Sequence, residues 1–391
     1  MKIAVIGAKG LPPMQGGIEH YCAEVYPRMV ANGHSVDLFA RSSYTNSSWL
    51  ENYDFEGVKV ISLPDVRMRG VNAFITSALG TLATTGNRYD IIHFQALGPS
   101  LFTGLSRITT NSKIVVTCHG LDWQRAKWGN FSTRLIKMGE QAAVRYAHAI
   151  IAVSDPLKTY FGQNYGREVV YIPTAPASYA ESNLDFVYGS KLGLERGKYM
   201  LFLGRLVPEK RPDLLVEAFK NLQPSWKLVL AGGVSHTKSF TASLLKEIAL
   251  DRNIVFAGEL RGARLAEIVR SAGLFVLPSD VEGLPMAMLE AMREGIPILA
   301  SNIPPHQQLI GGGRGRLFEA GSLESCINEL SWATENSTQM AAMAEDAQNY
   351  VNLNYSWDSI TNETLKLYKT ILDLPSEVEN SQKGLAGVFK E

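Results

Sequence analysis

The sequence offers little from which a disulfide framework, a metal cage or a membrane span could be built. Its three cysteines, Cys22, Cys118 and Cys326, are odd in number and far apart, which argues against a disulfide scaffold or zinc motif and leaves free thiols. No run of about 18 apolar residues occurs. Met1 leads straight into the strand-like Lys2–Ile6, with no basic and apolar leader, so the expected location is cytoplasmic, at most resting on the inner face of a membrane. Charge of one sign is also missing: Lys+Arg and Asp+Glu both number 38. A chain with no net field is not expected to take nucleic acid as a partner. Neither an Asp-x-Asp triplet nor another cluster of hard oxygen ligands is present, so no metal and no cofactor are expected. Gly7 and Gly10 do not complete G-x-G-x-x-G, and the second strand ends Leu38-Phe-Ala-Arg41 without an acidic residue, which speaks against a dinucleotide fold.

What is present is ample core material. Hydrophobic residues make up 46% and charged residues 19% of 391 positions, the balance of a compact chain long enough for two domains. Unalternated apolar runs alternate with helical patterns at Lys2–Ile6, Ser35–Ala40, Lys59–Leu63, Ile91–Phe94, Lys113–Thr117, Ala149–Val153 and Val169–Ile172. Such runs predict parallel strands covered on both faces. The periodicity fades after Thr174 and returns at Tyr199, continuing through Trp226–Ala231, Asn253–Ala257, Leu274–Leu277, Ile296–Ala300 and Gly315–Phe318. Two Rossmann-like, doubly wound α/β domains follow: residues 1–173, a linker over 174–198, residues 199–355, a last helix over 356–374 and a tail from 375 to 391.

Three segments carry polar chemistry at strand ends. In Leu277–Ala291 a strand gives way to a loop with Glu282, Gly283, Leu284, Pro285 and Met286, and Pro285 is placed to open a helix that carries Glu290. Free amides and a positive helix end suit an anionic or hydroxyl-rich ligand. Gly204-Arg205-Leu-Val-Pro-Glu-Lys210 lies between another strand end and helix start, with two cations able to stabilise a leaving group that gains negative charge. In the first half, Gly16 and Gly17 follow the first strand, and glycine pairs let backbone approach a phosphate closely. His119 closes the strand Ile114–Cys118, at the end where open α/β sheets bind ligands.

Glu282-x7-Glu290 with Gly-Leu-Pro inside it, preceded by Gly-Arg205-Leu-x-x-x-Lys210, resembles the signature of glycosyltransferase family 4, a retaining family with the GT-B fold. The likeness runs from the Gly16-Gly17 loop to Tyr355-Ser-Trp357. It implies two domains facing a central cleft, with the C-terminal helix crossing back onto the N-terminal domain. By resemblance, Glu282 lies by the donor sugar, Glu290 binds the ribose, and Gly283, Leu284, Pro285 and Met286 line sugar and phosphates. Arg205 and Lys210 hold the diphosphate, Gly16 and Gly17 face it, and His119 is directed at the sugar. The donor is a nucleotide diphosphate sugar, UDP- or GDP-linked, and acts as co-substrate. Ile172-Pro-Thr-Ala-Pro-Ala177 departs from the family's Ile-Pro-Asn-Gly-Val-Asp, which puts a linker role in phosphate binding in doubt.

No residue pairs with another as nucleophile and base across a sugar, unlike the two carboxylates of hydrolases. Front-face substitution with retention is therefore the expected reaction. A non-hydrolysing nucleotide-sugar epimerase would need acid and base groups at C2, and no such pair stands out. A non-catalytic nucleotide-sugar-binding protein would not need the Arg205 and Lys210 pair. The acceptor is expected to be a hydroxyl compound, lipid-linked and used in surface polysaccharide or glycolipid synthesis. Trp123, Arg125, Lys127, Trp128, Arg134 and Lys137 form a basic, aromatic stretch suited to anionic headgroups; composition equally allows a solvated helix that packs Leu135 and Met138 inward.

Overall fold

The computed structural model describes residues 1–14, 16–45, 51–65, 72–125, 129–182, 185–234 and 237–373. The first half builds on β1 (Lys2–Ile6), β2 (Ser35–Arg41), β3 (Asn52–Phe55), β4 (Val58–Leu63), β5 (Ile91–Gln95), β6 (Lys113–Cys118), β7 (Ala149–Ala152) and β8 (Val170–Tyr171). They lie side by side in the order β3-β4-β2-β1-β5-β6-β7-β8. From β1 the chain winds outward through β2 and β4, then returns to β5 and winds the other way. The reversal falls between β1 and β5, which pair in parallel.

Seven of these strands match the apolar runs of the sequence, and the eighth departs from them. β3 pairs antiparallel with β4 through a two-residue turn, Glu56 at φ 50° and Gly57 at φ 85°. Positive φ at both central residues is the hairpin turn that fits strand twist. β3 sits at the sheet edge and alternates exposed with half-buried residues, so it lacks the continuous apolar signal of the covered strands.

The second half builds on β9 (Tyr199–Leu203), β10 (Lys227–Ala231), β11 (Ile254–Gly258), β12 (Leu274–Leu277), β13 (Ile298–Ser301) and β14 (Arg316–Phe318). Their order is β11-β10-β9-β12-β13-β14, with parallel pairing throughout. Here the reversal falls between β9 and β12. Central side chains such as Ile3, Val5, Ile91, Leu201 and Phe275 are fully buried, each worth roughly 1.5–3 kcal/mol of transfer free energy. Both sheets therefore rest on ordinary apolar cores and present their strand ends as rigid platforms.

The helix Trp357–Asp373 returns to the first half of the molecule. Arg28 Nε donates to Asp358 Oδ1 at 2.9 Å, and the Tyr368 hydroxyl lies 2.6 Å from His93 Nδ1. Trp357 stacks edge-on against Tyr21 at 5.9 Å and donates through Nε1 to the carbonyl of Pro176 at 3.1 Å. The last helix thus fastens the connecting segment to the first sheet's layer.

Candidate active site

The polar residues singled out at strand ends lie beside the two reversals, the positions at which open α/β sheets bind ligands, except His119, which follows β6, one strand beyond β5. On the second sheet, β9 leads to Gly204 and Arg205, and a 3-10 turn over Pro208–Lys210 carries Lys210. The loop after β12 carries Glu282. Lys210 Nζ donates to Glu282 Oε1 at 2.6 Å, and Ser279 Oγ donates to the same oxygen at 2.8 Å. Burial alone would favour the neutral acid, but the Lys210 ammonium, with His306 and the Ser279 hydroxyl, holds the Glu282 carboxyl below the usual range. His306 is itself pushed down to about 4 by burial and is neutral at physiological pH. Glu282 is thus a fixed anion that orients Lys210.

Arg205 is depressed chiefly by burial and next by Arg125, a second guanidinium on the opposite wall, while Glu209, Glu282 and Asp122 oppose the shift. Arg125 follows the 3-10 turn Asp122–Gln124 after β6 and holds Asp122 Oδ1 through Nε at 3.1 Å. Lys9, in the loop after β1, is lowered by burial and then by Arg205, Arg41 and Arg125, against the pull of Glu19. Positive groups from both sheets therefore converge where the strand ends meet, an arrangement favourable to a polyanion.

The glycine loop forms the facing wall. Gly16 has φ 104°, and a side chain there would overlap Glu19 Oε2; Glu19 Oε1 in turn accepts the Lys9 backbone N–H at 3.0 Å. A β-carbon on Gly17 would stand 3.0 Å from Met286 Sδ, so the first residue of helix Gly17–Ala31 meets the first residue of helix Met286–Arg293. The latter has no side-chain cap, and Leu284 and Pro285 are buried behind it. His119 completes this wall. Its Nε2 is 2.7 Å from Gln95 Oε1, its ring meets Tyr21 edge-on at 5.2 Å, and burial pushes it down to about 4.

Glu290 has a different setting. Its Oε2 accepts from the Tyr179 hydroxyl at 2.6 Å, and burial pushes its carboxyl up to about 7, against the pull of Tyr179, Arg293 and the Ala177 backbone. Arg293 also donates to the carbonyls of Pro176 and Ala177. The connecting segment whose sequence departs from the family pattern is therefore the one that grips Glu290.

The basic, aromatic stretch is not one surface. Arg125 turns into the cleft, which corrects its assignment to a headgroup-facing set. Trp123 donates through Nε1 to Glu140 Oε2 at 2.8 Å, with Lys137 Nζ 4.5 Å above its ring. Arg134 and Lys137 are exposed, whereas Lys127 and Trp128 lie outside the described residues. Sequence reasoning also missed Lys9 and Arg125 as cleft residues. The signal for Lys9 was its place between Gly7 and Gly16, directly after the first strand.

Among the described residues, no three or more of His, Cys, Asp and Glu gather as a metal site, and no helix is long and apolar enough to cross a membrane. Cys22, Cys118 and Cys326 are buried free thiols.

The first half matches the sequence pattern of Glycosyltransferase Family 4 over residues 15–175, and the second matches Glycosyl transferases group 1 over residues 189–350. This chain belongs to glycosyltransferase family 4. Among relatives of this glycosyltransferase is the D-inositol 3-phosphate glycosyltransferase of Gordonia bronchialis, 25% identical over 90% of this chain and 83% of that one. The sucrose-phosphate synthase of Thermosynechococcus elongatus superposes with a TM-score of 0.80 at 20% identity, covering 95% of this chain and 98% of that one. The Anabaena protein HepE in complex with UDP-glucose superposes with a TM-score of 0.76 at 18% identity, covering 95% and 100%. The two facing parallel-sheet domains of this family member are the GT-B fold.

Proposed function

We propose that this family 4 glycosyltransferase moves a sugar from a nucleotide diphosphate donor, UDP- or GDP-linked, to a hydroxyl acceptor with retention and without a metal. The observation that carries this reading is the pair Arg205 and Lys210 opposite the Gly16-Gly17 loop, with Lys210 held by Glu282 at 2.6 Å. A departing diphosphate gains charge as the glycosidic bond breaks, and fixed cations stabilise that charge without reorganising. A UDP-glucose complex of the structurally similar Anabaena protein supports a nucleotide-sugar donor.

What the site offers the sugar supports retention without a covalent intermediate. Glu282 is tied to Lys210 and Ser279, which disfavours it as a covalent nucleophile. Neutral His119 is not an acid either. The acceptor hydroxyl then attacks on the face from which the diphosphate leaves. Its oxygen bonds to the anomeric carbon, the carbon–phosphate-oxygen bond breaks with its electron pair on the diphosphate, and a phosphate oxygen takes the acceptor proton. Closure of the two walls keeps water out.

For the acceptor, a lipid-linked compound at the cytoplasmic face of a membrane suits the helix Asn130–Tyr146. Its outer side shows Phe131 at 67% and Met138 at 45% exposure beside exposed Arg134 and Lys137. Such a face fits anionic headgroups over a shallow apolar layer. The test is to supply UDP- and GDP-sugars with lipid-linked and soluble hydroxyl acceptors, follow acceptor-dependent nucleotide release, and read the product's anomeric coupling. Inverted product would refute retention, and donor epimerised without transfer would point to the epimerase alternative.

A further inference from the structure

A buried polar chain runs from the last helix to the cleft. The Tyr368 hydroxyl lies 2.6 Å from His93 Nδ1, and the Tyr26 hydroxyl lies 3.0 Å from the same nitrogen. His93 Nε2 lies 2.7 Å from Thr117 Oγ1. Gln95 Nε2 donates to the Tyr26 hydroxyl at 2.6 Å, and Gln95 Oε1 lies 2.7 Å from His119 Nε2. Tyr26, Tyr368, His93, Gln95 and Thr117 are all essentially sealed from solvent. Polar side chains are kept in a dry core only when satisfied, and here only the far end of the chain, His119, reaches the cleft.

The polarity of this chain has a chemical consequence. An amide oxygen only accepts, so the proton between Gln95 and His119 belongs to His119 Nε2. Burial keeps His119 neutral, so Nδ1 is bare; it takes no hydrogen bond from the described residues. We propose that Gln95, held by Tyr26, is a positioning residue that fixes His119 as its Nε2–H tautomer, so that the ring offers the cleft a hydrogen-bond acceptor. The substrate group it meets must then donate, which a sugar or acceptor hydroxyl does and an ionised phosphate does not. Since His93 is pushed to about 3 and the hydroxyls of Tyr26 and Tyr368 well above their ordinary value by burial, the chain is a fixed support across the working pH range. This rests on the glycosyltransfer reading only for its use, not for the tautomer itself.

Ring 15N resonances of His119, assigned by their loss in His119→Gln, read the tautomer directly. The expected wild-type spectrum at pH 7 shows protonated Nε2 and bare Nδ1. Gln95→Leu should lose that preference and lower kcat/KM about 5- to 20-fold, the size of one hydrogen bond, with free nucleotide diphosphate affinity within about twofold. Loss in both donor hydrolysis and transfer would place the partner hydroxyl on the donor sugar, and loss in transfer alone on the acceptor. Gln95→Glu is isosteric and sets an anion against a ring otherwise influenced by Asp122, Arg125 and His93. It should convert His119 towards imidazolium and give the rate profile a pH limb that the parent lacks. A wild-type Nδ1–H tautomer, or an unchanged tautomer in Gln95→Leu, overturns the proposal. The expected tautomer in a protein that transfers no sugar overturns the functional reading alone.

Discussion

Gly283 packs its α-carbon against the carbonyl of His119, so closely that a β-carbon there would overlap the carbonyl oxygen. The donor-side loop and the end of β6 therefore touch through backbone, and glycine is required by contact. Gly283→Ala should force the two walls apart. The expected result is a loss of about 10²-fold in kcat/KM, because misplacement of roughly 1 Å has that effect on aligned groups. Stability should fall by only about 1–3 kcal/mol. Kinetics beside denaturant unfolding check both, and a variant with unchanged turnover would show that the walls need not meet.

Glu290 gives a pH-dependent prediction. Its folded carboxyl is raised from 4.5 to about 7, so between those values the folded state holds a proton that the unfolded state has released. The stability this confers is present below about 4.5 and is lost as pH rises through about 7. If Glu290 meets the ribose, as the family resemblance implies, nucleotide binding should run the other way, since an ionised carboxylate is the better acceptor for hydroxyls. Tyr179→Phe removes a donor that favours ionisation and should move the binding midpoint upward. Calorimetric titration of nucleotide diphosphate from pH 5.5 to 8.5, with Glu290→Gln to remove the phosphate's own titration, tests this. An unmoved midpoint in Tyr179→Phe would show that the linker hydroxyl does not tune Glu290.

Lys210 and Arg205 should fail differently. Lys210→Ala leaves the Glu282 carboxylate largely buried without its partner, a change that costs about 3–5 kcal/mol for a buried pair. Turnover should fall as well. Among the described residues Arg205 makes no such pair, so Arg205→Ala should lower kcat about 10²- to 10³-fold with less loss of stability. Combining Lys210→Ala with Glu282→Gln should recover part of the stability and none of the rate. Excess EDTA should leave wild-type transfer intact. Activity lost with the chelator and restored by Mg²⁺ or Mn²⁺ would assign the leaving-group role to a metal instead.

How far the sequence could be read follows from what its signals report. The covered strands were legible because burial on both faces demands continuous apolar runs, and β3 was not because an edge strand paired by a Glu56-Gly57 turn shows polar alternation. Gly16, Gly17, Arg205, Lys210 and Glu282 were legible as strand-end residues, since that position is fixed by the winding of the chain. Their pairings were not: nothing in the spacing of Lys210 and Glu282 announces a 2.6 Å contact. Arg125 was misread because composition grouped it with Arg134 and Lys137, whereas the helix that carries those two begins at Asn130 and Arg125 closes the 3-10 turn before it. Gln95, His93 and Tyr368 left no motif, as their link spans 275 residues from His93 to Tyr368.

Membrane contact is the last expectation that the geometry sharpens. With Arg125 committed to the cleft and Trp123 bonded to Glu140, the charged and apolar side chains exposed on helix Asn130–Tyr146 are Phe131, Arg134, Lys137, Met138 and Arg145. Three cations at about 1 kcal/mol each near an anionic surface, plus two partly exposed apolar side chains, predict at most weak and reversible attachment. Cosedimentation with vesicles containing phosphatidylglycerol should be clear at low salt and fade above about 0.1 M, where the screening length falls to about 10 Å. Arg134→Glu with Lys137→Glu should abolish it while transfer to a soluble acceptor stays at the wild-type rate, because neither residue belongs to the cleft. Phe131→Ser should weaken what remains at high salt. Equal recovery of the wild type with anionic and neutral vesicles would remove this helix as a docking face and leave the lipid-linked acceptor without support.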